Sequence, residues 1–233
     1  MEDIERKIHA ACLGKAISGP FMGMQMSDIA HFGVGHSVVK LLGTFEQPIH
    51  RSINSELAKN HDLFINIGCG DGYYGVGVKL RSPSTNLLMV DIDSACLEQV
   101  KLSCNLNGIS DYTFRNEFNN QSLQAALAGS NNPWVFVDIE GAEADLLNPA
   151  EAPDLSRATI TVEMHDCFRM GVTNELIARF QRTHRIINIV DDWNKTIPRL
   201  PEGIVLPDYV LDYIRHEGRC TRMNWLYMTP LQW

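Results

Sequence analysis

The stretch DLFINIGCGDGYYG, Asp62 to Gly75, is an apolar run that ends in a glycine-rich turn and passes into a second apolar segment. Leu63, Phe64, Ile65 and Ile67 have the branched and aromatic character of a strand buried on both faces. Gly68, Gly70 and Gly72 then form the turn. Glycine reaches positive φ cheaply and has no Cβ to hold a ligand off the backbone, so this turn can wrap an extended small molecule. A plain strand-to-helix turn is the other reading of the same residues.

Downstream, strand-like and helix-like segments alternate. Val76, Val78 and Leu80 predict a short helix that Pro83 ends, and Asn86 to Val90 a second strand. Asp93 or Ser94 is placed to cap a helix from Ala95 to Leu106, closed by Gly108. Tyr112, Phe114 and Phe118 mark a third strand, Gln121 to Ala128 a helix, Trp134 to Asp138 a fourth strand and Thr159 to His165 a fifth. A helix from Asn174 to Thr183, a strand from Arg185 to Val190 and a seventh strand from Trp225 to Thr229 complete the series. This order predicts an α/β fold with a mostly parallel, doubly wound sheet and helices on both faces, whose ligands bind at the carboxyl ends of the strands.

Upstream, residues 2 to 17 have the spacing of an amphipathic helix, with Ile4, Ile8 and Leu13 on its apolar side. Ser18 to Gly35 reads as a mobile loop or lid, in which Met22, Met24 and Met26 line a pocket or fill core gaps. A helix from His36 breaks at Gly43, and Thr44 is placed to cap the next one, whose apolar face carries Ile49, Ile53 and Leu57. The chain is therefore divided into an N-terminal helical or lid segment, 1–45, and a single domain, 46–233. The segment from Asp191 to Arg222, with Pro198, Pro201 and Pro207, reads as a long insertion that shapes a substrate pocket. Trp193, Tyr209, Tyr213 and Trp225 are either stacking faces for a substrate or packing residues.

Of the 233 residues 45% are hydrophobic, enough for a substantial core. The net charge of -8, without a cluster of Lys and Arg, argues against a general nucleic-acid binder, a local basic patch being the alternative, and no nucleic-acid partner is expected. No apolar run approaches the roughly 18 residues of a membrane span, so no membrane partner is expected. The six cysteines lack CxxC pairs, which suggests reduced thiols and a cytoplasmic protein.

Polar residues collect at the predicted strand ends: Gly68 to Gly72, Asp91, Asp138 and Glu163 to Asp166. Asp91 lies 19 residues beyond Gly72, where a carboxylate can accept hydrogen bonds from both hydroxyls of a ribose. Its other reading is a helix cap. Gly70 to Gly75 also satisfies GxGxxG, so an NAD(P)-dependent Rossmann dehydrogenase is the alternative, although Gly68 already follows the strand directly.

The run Asn66-Ile-Gly-Cys-Gly-Asp-Gly72 resembles the first motif of the class I S-adenosylmethionine-dependent methyltransferases, a Rossmann-like family, and the resemblance extends over roughly residues 40–229. Val137-Asp-Ile-Glu-Gly-Ala-Glu-Ala-Asp-Leu-Leu147 is similar to the fourth-strand signature of the FkbM-type members, as are Gly72-Tyr-Tyr74 and Val162-Glu-Met-His165. The resemblance implies S-adenosyl-L-methionine as cofactor and methylation of a hydroxyl on a small molecule such as a sugar or secondary metabolite. It places Gly68, Gly70 and Gly72 around the methionine part, Asp91 on the ribose, Ile92 against adenine and Asn116 or Glu117 at the adenine edge. Thr44, Glu46, Asn66 and Tyr74 fall at further cofactor-contact positions. The family usually has Asp or Glu where this chain has Asn66.

Methyl transfer to an alcohol needs in-line alignment and removal of the hydroxyl proton. Asp138, Glu140 and His165 are the candidates for that base, His165 also reading as a strand-end histidine bonded to backbone. A divalent metal such as Mg²⁺ held by Asp138 and Asp166 is the rival device; it is not favoured, so chelation is expected to leave activity unchanged. Glu143 and Asp145 are expected to favour the start of the following helix through its dipole. A non-catalytic binding module on the same scaffold is a third reading.

Overall fold

The structure, a computed structural model, describes residues 2–27 and 35–231. In chain order the elements are α1 (Glu2–Ala11), α2 (His36–Leu42), a 3-10 turn (Gln47–Ile49) running into α3 (His50–Leu57), β1 (Leu63–Ile67), α4 (Tyr73–Arg81), β2 (Asn86–Val90) and α5 (Ala95–Leu106). They continue with β3 (Thr113–Arg115), α6 (Asn120–Ala128), β4 (Pro133–Val137), α7 (Glu143–Leu146), a 3-10 turn (Pro153–Arg157), β5 (Thr159–Met164), α8 (Val172–Phe180), β6 (His184–Val190), α9 (Asp208–His216) and β7 (Asn224–Pro230).

The seven strands form one sheet in the order β3-β2-β1-β4-β5-β7-β6, parallel except for β7, which runs antiparallel to both β5 and β6. Ile67 stands beside Val90 on one side and Val137 on the other, and Val137 beside Val162. The next residues along those strands, Gly68, Asp91, Asp138 and Glu163, are therefore level at one edge of the sheet. Alternation sends Ile65, Ile67, Val135, Val137 and Val162 into a core with Leu123 of α6 and Phe180 of α8. Phe64, Met89, Trp134 and Phe136 face the opposite layer, with Ile53 of α3, Val76 of α4 and Val100 of α5. No described helix is long and apolar enough to cross a membrane, and all six cysteines are free.

α9 went unread in the sequence. It lies in the 191–222 insertion and buries Val210 and Ile214 against Ile8 of α1 and Val38 and Leu41 of α2, contributing roughly 1.5–3 kcal/mol for each side chain. Three prolines argued for irregular chain there, yet Pro207 sits just before the helix and its fixed φ suits a helix start. The described half of the expected lid is a packed wall. Phe21 and Met24 are buried, and the Phe21 ring meets Tyr73 edge-on at 5.3 Å. A Cβ on Gly77 would come within 2.4 Å of that ring, so glycine lets it lie against α4. Residues 28–34, the rest of the expected lid, are outside the described residues. Thr44 caps backwards rather than forwards. Its hydroxyl donates to Val39 O (3.3 Å) at the end of α2, while Glu46, in a left-handed conformation, precedes the 3-10 turn.

His184 is buried between Thr183 Oγ1 (2.8 Å) and Ala158 O (2.9 Å), and burial holds its pKa below the ordinary value. A base with a lowered folded pKa contributes stability above its unfolded pKa of about 6.5 and loses it as pH falls below that. His184→Gln is expected to cost stability at pH 7 but on the order of 1 kcal/mol less at pH 5. Urea unfolding at both values checks this, and an unchanged difference would refute it.

Candidate functional site

Two groups of residues meet at the carboxyl edge of the sheet. The first surrounds the glycine loop. Gly68 N and Cys69 N both donate to Val90 O (2.9 and 3.0 Å), drawing the loop across the end of β2. Gly68 (φ 75°) passes so close to β4 that a Cβ would lie 1.6 Å from Asp138 O. Gly72, also left-handed, turns the chain into α4. Gly70 N donates to Asp91 Oδ2 (2.8 Å), Asp93 N donates to Asp91 Oδ1 (3.0 Å), and Asn116 Nδ2 donates to Asp91 O (3.3 Å). Beside them Ile92 is 86% exposed, a large apolar side chain left in solvent next to a carboxylate. Asp71 of the loop is tied to Lys40 at 2.5 Å. Asn66, 1% exposed, has a side-chain oxygen with no hydrogen-bond partner among the described residues.

These features fit S-adenosyl-L-methionine. The loop offers backbone without side chains, Asp91 an acceptor for hydroxyl donors, Ile92 an apolar face for a flat base and Asn66 an unsatisfied acceptor beneath the loop. Thr44 does not join them, because its hydroxyl is committed to α2.

The second group is built on β4 and β5. His165, 2% exposed, has Nδ1 at 2.6 Å from Glu143 Oε1, and Nε2 turned to Glu140 Oε2 (3.2 Å), Asp138 Oδ1 (3.6 Å) and Glu163 Oε2 (3.7 Å). Phe168 stacks on the imidazole, with ring centroids 5.8 Å apart. Desolvation and the charges of Glu46 and Glu140 push Asp138 up to about 7. Burial, with the charges of Asp138 and Glu46, holds Glu163 well above the carboxylate range. Burial disfavours a charged His165, but the Glu143 hydrogen bond and the surrounding carboxylates outweigh it and raise its pKa. Burial likewise opposes charge on Glu143, but the bond to His165 and the N–H of Gly141 (2.9 Å) hold it below its usual value.

Behind this group Arg219 gathers three buried acids: Glu46 Oε1 (2.7 Å), Glu163 Oε1 (2.8 Å) and Glu217 Oε2 (3.0 Å). Tyr74 donates its hydroxyl to Glu46 Oε2, and its ring packs on Phe136 with centroids 4.1 Å apart. Glu46 and Tyr74, expected at the cofactor, are thus members of a buried polar network.

Asp138, Glu140 and His165 come together, whereas Asp166 does not join them. Its Oδ1 accepts from Gly171 N (2.9 Å) and its Oδ2 from the Thr173 hydroxyl, so it secures the start of α8. Nor is Glu143 a dipole residue on a surface. It is fully buried and orients His165. Glu163 had a visible signal, as an acid inside an otherwise uncharged strand, but Glu217 and Arg219 read as ordinary solvated charges.

No family model matches the sequence, and no curated protein matches it. Among solved structures the chain is similar to a ribosomal-protein methylase from Lactobacillus delbrueckii subsp. bulgaricus, at 14% identity over 81% of this chain and 77% of that one, TM-score 0.49. It is also similar to an rRNA methylase from Streptococcus thermophilus, at 12% identity over 79% of this chain and 97% of that one, TM-score 0.48. A third is a tRNA methyltransferase from B. subtilis, at 10% identity over 75% of this chain and 64% of that one, TM-score 0.45. These are likenesses of fold. Two of the three are named for RNA, and the exclusion of nucleic-acid partners drawn from net charge does not hold. A net charge of -8 averages the whole surface, whereas a nucleic acid meets one local patch of it.

Proposed function

We propose that the chain is an S-adenosylmethionine-dependent methyltransferase of the FkbM type that methylates a hydroxyl oxygen. The observation that carries this reading is the meeting, at one sheet edge, of the glycine loop, the Asp91–Ile92 strip and the Asp138–Glu163–His165 group. The FkbM-like run supports the finer assignment, because its Asp138, Glu140 and Glu143 gather around His165. Asp138 and Glu140 face His165, Gly141 supplies an N–H to Glu143, and Glu143 holds the imidazole.

When bound, the cofactor supplies a methyl group already activated on a sulfonium. The protein's part is to position the acceptor and remove its proton. Gly68, Gly70 and Gly72 would hold the donor in the loop, and Asp91 would accept from the ribose hydroxyls. Glu140, beside Asp138 and His165, receives the proton from the acceptor. Orientation provides much of the rate, since an aligned neighbour replaces a bimolecular encounter.

Titration calorimetry with S-adenosylhomocysteine and with NAD(P)⁺ tests the reading directly. Binding of S-adenosylhomocysteine is expected, weakened at least about tenfold by Asp91→Ala, which corresponds to about 1.4 kcal/mol. Binding of NAD(P)⁺ with none of S-adenosylhomocysteine would overturn it. Transfer of labelled methyl is then assayed on hydroxyl acceptors that include sugars, secondary metabolites and RNA. Label appearing on nitrogen or carbon and on no hydroxyl would refute the oxygen assignment.

A further inference from the structure

The spacing from His165 Nε2 to Asp138 and Glu163 is too long for hydrogen bonding and close to what a metal ion requires. Nε2 lies 3.6 Å from Asp138 Oδ1 and 3.7 Å from Glu163 Oε2, beyond the roughly 2.7–3.2 Å of an N–H···O bond. Two ligands of a divalent ion with bonds of about 2.0–2.2 Å stand about 3.0–3.5 Å apart, depending on the angle between them. One ligand atom from each of Asp138, Glu163 and His165 falls within 4.8 Å of the others. The two imidazole–carboxylate distances need to close by only a few tenths of an ångström.

Four further observations point to a ligand. Nδ1 of His165 faces the buried Glu143 carboxylate at 2.6 Å, so in the neutral imidazole that nitrogen keeps the proton and Nε2 presents its lone pair to the cluster, as in metal-ligating histidines. Asp138 Oδ1 is shielded from solvent and accepts no hydrogen bond among the described residues. Glu163, 2% exposed, makes an ion pair with Arg219 through Oε1 that lacks hydrogen-bond geometry, and its Oε2 is turned to the imidazole. Finally, two carboxylates brought together in a poorly hydrated place repel each other, and a cation between them removes that cost.

We propose that Asp138, Glu163 and His165 form a binding site for a divalent transition-metal ion, oriented by Glu143 through the imidazole. One imidazole with two carboxylates suits Mn²⁺, Fe²⁺ or Zn²⁺ better than Mg²⁺, whose preference is for oxygen alone. Glu140, left-handed at φ 53° and exposed, stands over the open side, with its carboxylate 3.2 Å from Nε2. The ion's role rests on the methyl-transfer reading. A hydroxyl placed on it loses its proton to Glu140, and the oxygen takes the methyl group as the donor's carbon–sulfur bond breaks. This replaces the sequence-based pair Asp138 and Asp166, and it reverses the expectation that chelation is harmless.

Mn²⁺ titration of chelator-treated protein, followed by electron paramagnetic resonance and calorimetry, tests the site without any turnover. One Mn²⁺ per chain is expected, with Mg²⁺ at least tenfold weaker. Glu163→Gln and His165→Ala should each weaken Mn²⁺ at least tenfold, Glu143→Gln less, and Asp166→Asn not at all; circular dichroism shows which variants fold. A second readout uses the wild type alone: substoichiometric Mn²⁺ should broaden the His165 imidazole resonances selectively. Stoichiometric Mn²⁺ that leaves His165 sharp, or absence of binding at millimolar Mn²⁺, would sink the proposal. Metal bound without any affinity for S-adenosylhomocysteine would instead keep the site and remove the methyltransferase reading.

Discussion

Gly68→Ala is expected to destabilise the protein by at least about 3 kcal/mol and to abolish binding of S-adenosylhomocysteine. Placing alanine at φ 75° costs about 1–2 kcal/mol. The larger cost is steric, because the added methyl would sit 1.6 Å from Asp138 O, a backbone atom that cannot rotate away. Either the loop lifts off β4 or the end of β4 shifts, and both displace Asp138 relative to the glycine loop. Gly108→Ala provides the control. It has the same kind of backbone (φ 68°) with nothing within 4 Å of the new methyl, so it should lose only about 1–2 kcal/mol and leave ligand binding intact. Guanidinium unfolding of both variants decides; equal losses would show that backbone conformation, not the contact with β4, is what matters.

Arg219→Ala is expected to cost about 3–5 kcal/mol, since it leaves Glu46, Glu163 and Glu217 buried without their common cation. The loss should depend on pH. Glu163 and Glu217 would then have folded pKa values further above their unfolded ones, and burial already pushes Glu217 up to about 7. An acid raised in this way is comfortable at low pH and destabilises the folded state as pH rises through the interval between its two pKa values. The deficit relative to wild type should therefore be small at pH 5 and largest at pH 8. A deficit that is the same at both would mean that only packing was lost. Arg219→Lys, with one charge and no fork, should fall between the two.

The boundaries of β1, β2 and α5 were legible because they depend on neighbours in the chain: an apolar run, then glycines, then a capping acid. The edge expected to bind ligands followed from the alternation of strand and helix alone. What escaped was non-local. Glu143 is two residues before the end of the small and acidic run Glu140 to Asp145 and looks solvated; only the fold brings it, from the start of α7, under His165 at the end of β5. Asp166 differs from Glu163 by three positions and by facing α8 instead of the sheet edge, a distinction that side-chain direction makes and residue type does not. Glu217 and Arg219 lie in a proline-rich insertion, and no periodic pattern links them to Glu46. Thr44 shows a subtler limit, since a threonine between two helices can cap either one.

The place of β7 has a consequence for how the molecule is assembled. Among the described residues β6 has β7 as its only strand neighbour, and β5 has β7 on the side away from β4. Until residues 224–230 insert, therefore, β6 has no ladder to join and the outer hydrogen-bonding groups of β5 lie open. As a ribosome releases the chain, β1 to β5 can pair in order, but the sheet stays unfinished until its last strand emerges. Glu163 on β5 and Arg219, five residues before β7, meet in the same closing event. Zipping of the sheet and capture of the buried charges should thus share one late, slow kinetic phase, during which the uncovered edge of β5 is the segment most exposed to mispairing with another chain.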